Sequence, residues 1–113
     1  MEEAKQIYLI DSNETIAKAL EVITENHKGS AVVVNGGYKL LGVVSDGDIR
    51  RGLVHGSTVY TPINKVMNVN CRYVEEKNLE KAEEILQGNV QINLIPIVDE
   101  ENCLVDVIVR EDK

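Results

Sequence analysis

The strongest constraint on what this chain can fold into is an internal repeat, because its second half restates the first at an offset of about 63 to 64 residues. Ile16, Ala19, Val22 and Ile23 correspond to Leu79, Ala82, Ile85 and Leu86. Val33-Val34 corresponds to Ile97-Val98, Leu40 to Leu104, Val43-Val44 to Val107-Ile108, and Asp48 to Asp112. The offset slips by one between helix and strand, where a loop can absorb it. Half of this chain alone would bury only about 60% of its unfolded surface and be marginal. Two such halves need each other, so one module of two copies is expected.

Each copy carries the same grammar. Ile7 to Ile10 reads as a short strand, and the polar cluster Asp11-Ser12-Asn13-Glu14 is of the type that caps a helix. Ile16, Ala19, Leu20 and Ile23 fall at i, i+3, i+4 and i+7, one apolar helix face, and Gly29 is the expected stop. Ala31-Val32-Val33-Val34 and Leu40-Leu41-Gly42-Val43-Val44 flank the turn Asn35-Gly36-Gly37 and predict a hairpin. Ser45-Asp46-Gly47-Asp48 then leads into a second helix that ends before Gly56. Between the copies, Thr61-Pro62-Ile63-Asn64-Lys65-Val66-Met67 predicts a short linking helix with Pro at its first position behind a Thr cap. These signals give an α+β fold of two tandem βαββα repeats about a pseudo-two-fold axis, residues 1–60 forming the first domain and 61–113 the linker helix and the second. The chain stops at Asp112-Lys113, where the second copy should begin its last helix, so a longer polypeptide is expected.

Charge and composition narrow the function. Twelve Lys and Arg against 19 Asp and Glu give a net charge of -7, with most of the excess acid in the second half. Such a chain repels a phosphate backbone, and with no Trp or Phe it has few aromatic rings for stacking bases, so nucleic acid is not an expected partner. No apolar run approaches the ~18 residues of a membrane span and the start has no leader pattern, which predicts a cytoplasmic protein without a membrane partner. Cys71 and Cys103 form no CxxC pair, so they read as core or strand-edge thiols and no metal is expected.

No catalytic constellation stands out. His27 and His55 fall at helix ends, where the macrodipole favours them. The pairs Glu75-Glu76 and Glu83-Glu84 read as solvated faces, and Asp99-Glu100-Glu101-Asn102 lacks the alternating ligand spacing of a calcium loop and reads as a hairpin turn. The sharp local signal is Gly42-Val43-Val44-Ser45-Asp46-Gly47-Asp48, a strand ending in a hydroxyl with a carboxylate three residues on, at a helix start. It suits a nucleoside phosphate: helix N–H groups and Ser45 for phosphate, Asp48 for both ribose hydroxyls, and Arg51, on the same helical face as Asp48, to neutralise charge. Gly42 and Gly47 would let ligand or backbone approach. The same Ser-x-x-Asp spacing also describes a capping box, with Arg51 simply paired to Asp48. Local spacing leaves both readings open.

Taken together, the ordered duplicate and these motifs resemble a tandem pair of cystathionine-β-synthase-type (CBS) domains, the regulatory Bateman module. The match runs from Ile7 to Asp112 and includes Ser30-Ala31-Val32-Val33-Val34, the Gly-apolar-apolar-Ser-x-x-Asp element at 42–48, and Leu94-Ile95-Pro96-Ile97-Val98-Asp99. The resemblance implies a non-enzymatic sensor of an adenosine nucleotide (AMP, ADP or ATP) that controls an attached catalytic domain and pairs into a homodimer. It implies that Ser45 and Asp48 hold phosphate and ribose, that Ala31 and neighbouring backbone line the base pocket, and that Ile10-Asp11 flank it. Ser45-Asp46-Gly47-Asp48-Ile49-Arg50-Arg51 further resembles modules attached to sugar-phosphate isomerases and sugar-phosphate nucleotidyltransferases, the latter being the expected attachment. In the second copy Asp106 stands for Gly42 and Val109 for Ser45, while Asp112 remains and Arg110 could compensate in part, so one competent site per chain is expected. The alternative reading is a dimerisation scaffold that binds no ligand. A small hydrolase is a weaker alternative, since no base or nucleophile is positioned.

Overall fold

The computed structural model describes residues 3–111, so Asp112 lies outside the described residues. Two three-stranded sheets carry the repeat. In the first, β1 (Leu9–Asp11) runs parallel to β2 (Ser30–Val34), which pairs antiparallel with β3 (Leu40–Ser45); α1 (Ile16–Asn26) connects β1 to β2, and α2 (Asp46–Val54) follows β3. In the second, β4 (Val74–Glu75), α3 (Lys81–Gly88), β5 (Leu94–Val98) and β6 (Leu104–Val109) repeat that order. The mixed α+β architecture is the expected one. The correspondence is kept residue by residue, since the β2–β3 register shifts between Val33 and Val34 and the β5–β6 register shifts between Ile97 and Val98.

β2 and β5 are apolar without alternation because both faces of each are covered. On one face of the first sheet, Ile10, Ala31, Val33 and Val44 pack with Ile16, Ala19 and Ile23 of α1 and Ile49 of α2. On one face of the second, Val74, Ile95 and Ile97 pack with Ala82 and Leu86 of α3. The remaining faces meet, joining Val32, Val34 and Leu40 to Leu94, Val98, Leu104 and Val107 in one shared core. At the hairpin tips the contact is reciprocal: Leu40 N donates to Asn102 O (3.0 Å) and Leu104 N to Tyr38 O (2.8 Å). Each pair of residues is the other's repeat equivalent, so the pseudo-two-fold passes through the Lys39–Cys103 bridge. Both hairpin turns are also built alike. The Asn35 side chain accepts from Gly37 N and Lys39 N, and the Asp99 side chain from Glu101 N and Cys103 N, which confirms 99–102 as a turn.

Several local expectations are corrected. Thr15, not the cluster at 11–14, caps α1 by accepting from Lys18 N (3.3 Å). The helix ends at His27, which takes the left-handed conformation (φ 61°), two residues before the expected Gly29. The linking segment is a three-residue 3-10 turn, Ile63–Lys65, with Pro62 at the cap position and no side-chain cap. Thr61 does not cap it because its hydroxyl accepts from Thr58 N (2.9 Å) and its carbonyl from Ile16 N (2.9 Å). Leu79, aligned with fully buried Ile16, is 47% exposed because α3 starts only at Lys81.

Candidate functional site

Ser45 ends β3 and caps α2, so the sharpest sequence signal sits where strand becomes helix. Its hydroxyl accepts from Asp48 N (3.2 Å) and donates to Asp48 Oδ2 (2.9 Å), while Ser45 N donates to the same Oδ2 (2.9 Å). This is a complete capping box. Arg51, one turn on, places Nη2 2.8 Å from Asp48 Oδ1. The capping geometry that the spacing allowed is therefore real, and it uses the same atoms a nucleotide would use. Of the first helical N–H groups, that of Asp46 is given to Gly29 O (3.0 Å) and that of Asp48 to Ser45.

These residues open onto a cleft of about 500 Å³ between the two copies. Gly29, Ser30 and Ser45 form one wall, Asn68 and Asn70 to Arg72 of the connecting segment a second, and Gln91 to Leu94 of the second copy a third. Among the described residues, Lys28, Arg51 and Arg72 give it three cations against the single carboxylate of Asp48, a local positive balance in a chain of net charge -7. Lys28 also ties the copies together, donating to Arg110 O (2.5 Å) and accepting at its own carbonyl from the Asn93 amide (3.2 Å). Cys71 lies half-buried in the same wall, and burial pushes its thiol up from the ordinary value while a backbone hydrogen bond partly opposes the shift. Two other recesses, of about 430 and 390 Å³, surround the second hairpin, where Glu75, Glu76, Asp99, Glu100 and Glu101 would repel an anion. Among the described residues no group of three or more His, Cys, Asp or Glu could hold a metal ion.

Of the expected site residues, Ser45, Asp48 and Arg51 come together, and Ala31, Ile10 and Asp11 do not join them. The Ala31 side chain has no exposure and Ile10 only 4%, because both point into the core beneath α1. Asp11 pairs with Val34, at the opposite end of β2 from Ser30, and its carboxylate accepts from Asn13 N (2.9 Å). Lys28, Arg72 and the Asn68–Cys71 stretch were missed, since no local pattern marks them. The repeat offset offered one signal: Lys28 to Ser30 and Ile92 to Leu94 are equivalent approaches to β2 and β5. Gly42 is settled as a backbone contact. A Cβ there would stand 2.6 Å from the Asn68 carbonyl oxygen, where Val43 and Asn68 exchange main-chain hydrogen bonds.

Residues 4–55 match the family model described as the CBS domain. Across 93% of this chain and 83% of the other, the fold superposes with a TM-score of 0.76 and 17% identity on a CBS domain pair/ACT domain protein of Thermotoga maritima. The first half is a CBS domain, and the whole chain has the CBS-pair fold. Arabidopsis thaliana CBSX2, solved in complex with AMP, shares the fold with 23% identity, a TM-score of 0.70, and coverage of 90% of this chain and 80% of that one. In sequence, the pair is 30% identical over 99 residues to arabinose 5-phosphate isomerase GutQ of Escherichia coli, covering 87% of this chain and 30% of GutQ. The chain spans 27–31% of the length of the curated relatives it matches.

The second copy departs from the first at its equivalent strand end. Asp106 occupies the Gly42 position opposite Ile97, and its carboxylate accepts from Val107 N (2.8 Å) and lies 3.6 Å from Lys5 Nζ in the 3-10 helix Glu3–Tyr8. That helix stands where the first copy has the Asn68 bridge, so no glycine is required. Val109 replaces Ser45 and has no hydroxyl. Arg110 does not compensate, because its guanidinium serves the carbonyls of Leu86 and Asn89 at the end of α3 and of Ile92 in the turn before β5.

Proposed function

We propose that this CBS pair is a regulatory module that senses an adenosine nucleotide in the cleft beside Ser45, Asp48 and Arg51, and transmits occupancy to an attached catalytic domain. The observation that carries the reading is the cationic cleft at the start of α2, where among the described residues the only carboxylate belongs to the Ser-x-x-Asp element. A ligand wedged between the copies touches both walls at once, so binding can bias their arrangement, which is what regulation requires. The AMP complex of CBSX2 supports the ligand class, and the similarity to an arabinose 5-phosphate isomerase supports sugar-phosphate chemistry in the attached domain, whether isomerase or nucleotidyltransferase. We place the boundary between the copies at residues 60 and 61, and one competent site in the first copy. A cytoplasmic location fits this role, and among the described residues no helix is long and apolar enough to cross a membrane.

The test is a thermal-shift and calorimetry panel of AMP, ADP, ATP, a sugar nucleotide and S-adenosylmethionine. A native-state ligand raises the melting temperature by mass action, by an amount that grows with concentration. Saturable binding at one site per chain is expected, and a flat response to every compound would leave the scaffold reading. Homodimerisation belongs to the same proposal and rests on Leu53, Val54, Val59 and Tyr60, apolar side chains 40–80% exposed around the end of α2. Light scattering at tens of micromolar, roughly where a modest interface should hold, should give twice the chain mass, and monomeric mass would refute that part.

A further inference from the structure

We propose that Arg51 is a phosphate-operated latch on Asp48, so that the site discriminates nucleotides from nucleosides by more than the direct phosphate contact. The inference rests on the nucleotide reading of the cleft. Asp48 Oδ2 is saturated by two donors from Ser45, and Oδ1 is held by Arg51 at 2.8 Å. One ribose hydroxyl can use the acceptor site that remains on Oδ1, but both hydroxyls of the diol are seated on this carboxylate only if the guanidinium yields Oδ1. Arg51 is able to yield it, since its side chain is 68% exposed whereas that of Asp48 is 15% exposed.

The guanidinium also lies across the helix start. A Cβ on Gly47 would stand 3.3 Å from Arg51 Nη1, so the bare glycine leaves the room that the guanidinium occupies over the first turn. A phosphate arriving at that turn meets Arg51 before it meets Asp48. Arg51 further borders a second recess of about 270 Å³, lined by Gly52, His55 and Lys65, and so has space on both sides of Asp48. Phosphate draws the guanidinium away and exposes Oδ1 to the ribose. A nucleoside has to break the ion pair unaided to seat both hydroxyls.

The experiment compares AMP and adenosine on the full chain by calorimetry or NMR titration for wild type, Arg51→Ala and Arg51→Lys, each checked for a native melt. Arg51→Ala should weaken AMP about tenfold, through loss of a charge-assisted phosphate contact, while adenosine binds up to about fivefold more tightly as the competing ion pair disappears. Arg51→Lys should keep most of the AMP affinity. Opposite movement of the two ligands is the signature, because a merely structural Arg51 would weaken both alike and a simple phosphate contact would leave adenosine unchanged. Either of those results, including adenosine that binds no better to Arg51→Ala than to wild type, overturns the latch while the nucleotide site stands. Absence of AMP binding to the wild type overturns both.

Discussion

At the residue scale, Asp48 serves two purposes with one carboxylate. It closes the capping box of α2 and it is the acceptor proposed for ribose, so its removal should be felt in stability and in binding separately. Asp48→Ala is expected to lower stability by about 1 kcal/mol through loss of the cap. It should weaken AMP roughly 10 to 150-fold, the equivalent of about 1.5 to 3 kcal/mol for a charged hydrogen bond. Calorimetry and a denaturation curve on the same sample read the two effects, and unchanged affinity would return the residue to capping alone. Cys71 provides an independent probe of the cleft. Because burial raises its thiol above the ordinary value, the reactive thiolate is scarce at neutral pH and accumulates only as pH rises beyond that value. Alkylation of Cys71 by iodoacetamide, followed by mass spectrometry, should be slow at pH 7, accelerate toward alkaline pH, and slow further with AMP present. Protection of Cys103 but not Cys71 would place the ligand elsewhere.

At the element scale, the connecting segment matters as much as the helices. Val43 and Asn68 exchange main-chain hydrogen bonds at 3.1 and 2.8 Å, which stitches the segment between the copies onto β3 and positions Asn70 to Arg72 against the cleft. Only the absence of a side chain at Gly42 allows it. Gly42→Ala should displace this segment and destabilise the chain by about 1 to 3 kcal/mol, as overpacking against backbone does. Nucleotide binding should weaken with it, measurable by chemical denaturation and titration. The sequence made the strands, helices and hairpins legible because their apolar periods and turn residues are local. It misjudged the linking helix for a physical reason: the side-chain hydroxyl and main-chain carbonyl of Thr61 are claimed by Thr58 and Ile16, partners no local pattern reveals.

At the scale of the whole molecule, the shared core makes the two copies one folding unit. The Cα radius of gyration is 13.4 Å, against about 13 Å for one compact domain of this length. Leu104, 5% exposed, sits in the core that both sheets build. Leu104→Ala should cost about 2 to 5 kcal/mol and lower the stability of both copies together. Hydrogen exchange of β2 and β5 amides is the measurement, and protection lost from β5 alone would argue for independent halves.

What the sequence determined by itself was the duplication, the α+β class, the hairpins and the Ser45–Asp48–Arg51 group. All of these are written in spacings of a few residues or in one repeat offset. The tertiary structure decided the rest of the site. Ala31 went to the core because β2 is covered on both faces, Ile10 because it pairs with Val33 on the face that α1 covers, and Asp11 went to the far end of the sheet because β1 runs parallel to β2. Lys28 and Arg72 came to the cleft because the pseudo-two-fold brings the approach to β2, the connecting segment and the approach to β5 to the same place. Arg110 was removed from ligand duty by carbonyls at the end of α3 and in the turn before β5. Periodicity reports which face of an element is apolar, but which side chains share a cleft depends on contacts between residues far apart in the chain, and only packing the two copies together creates them.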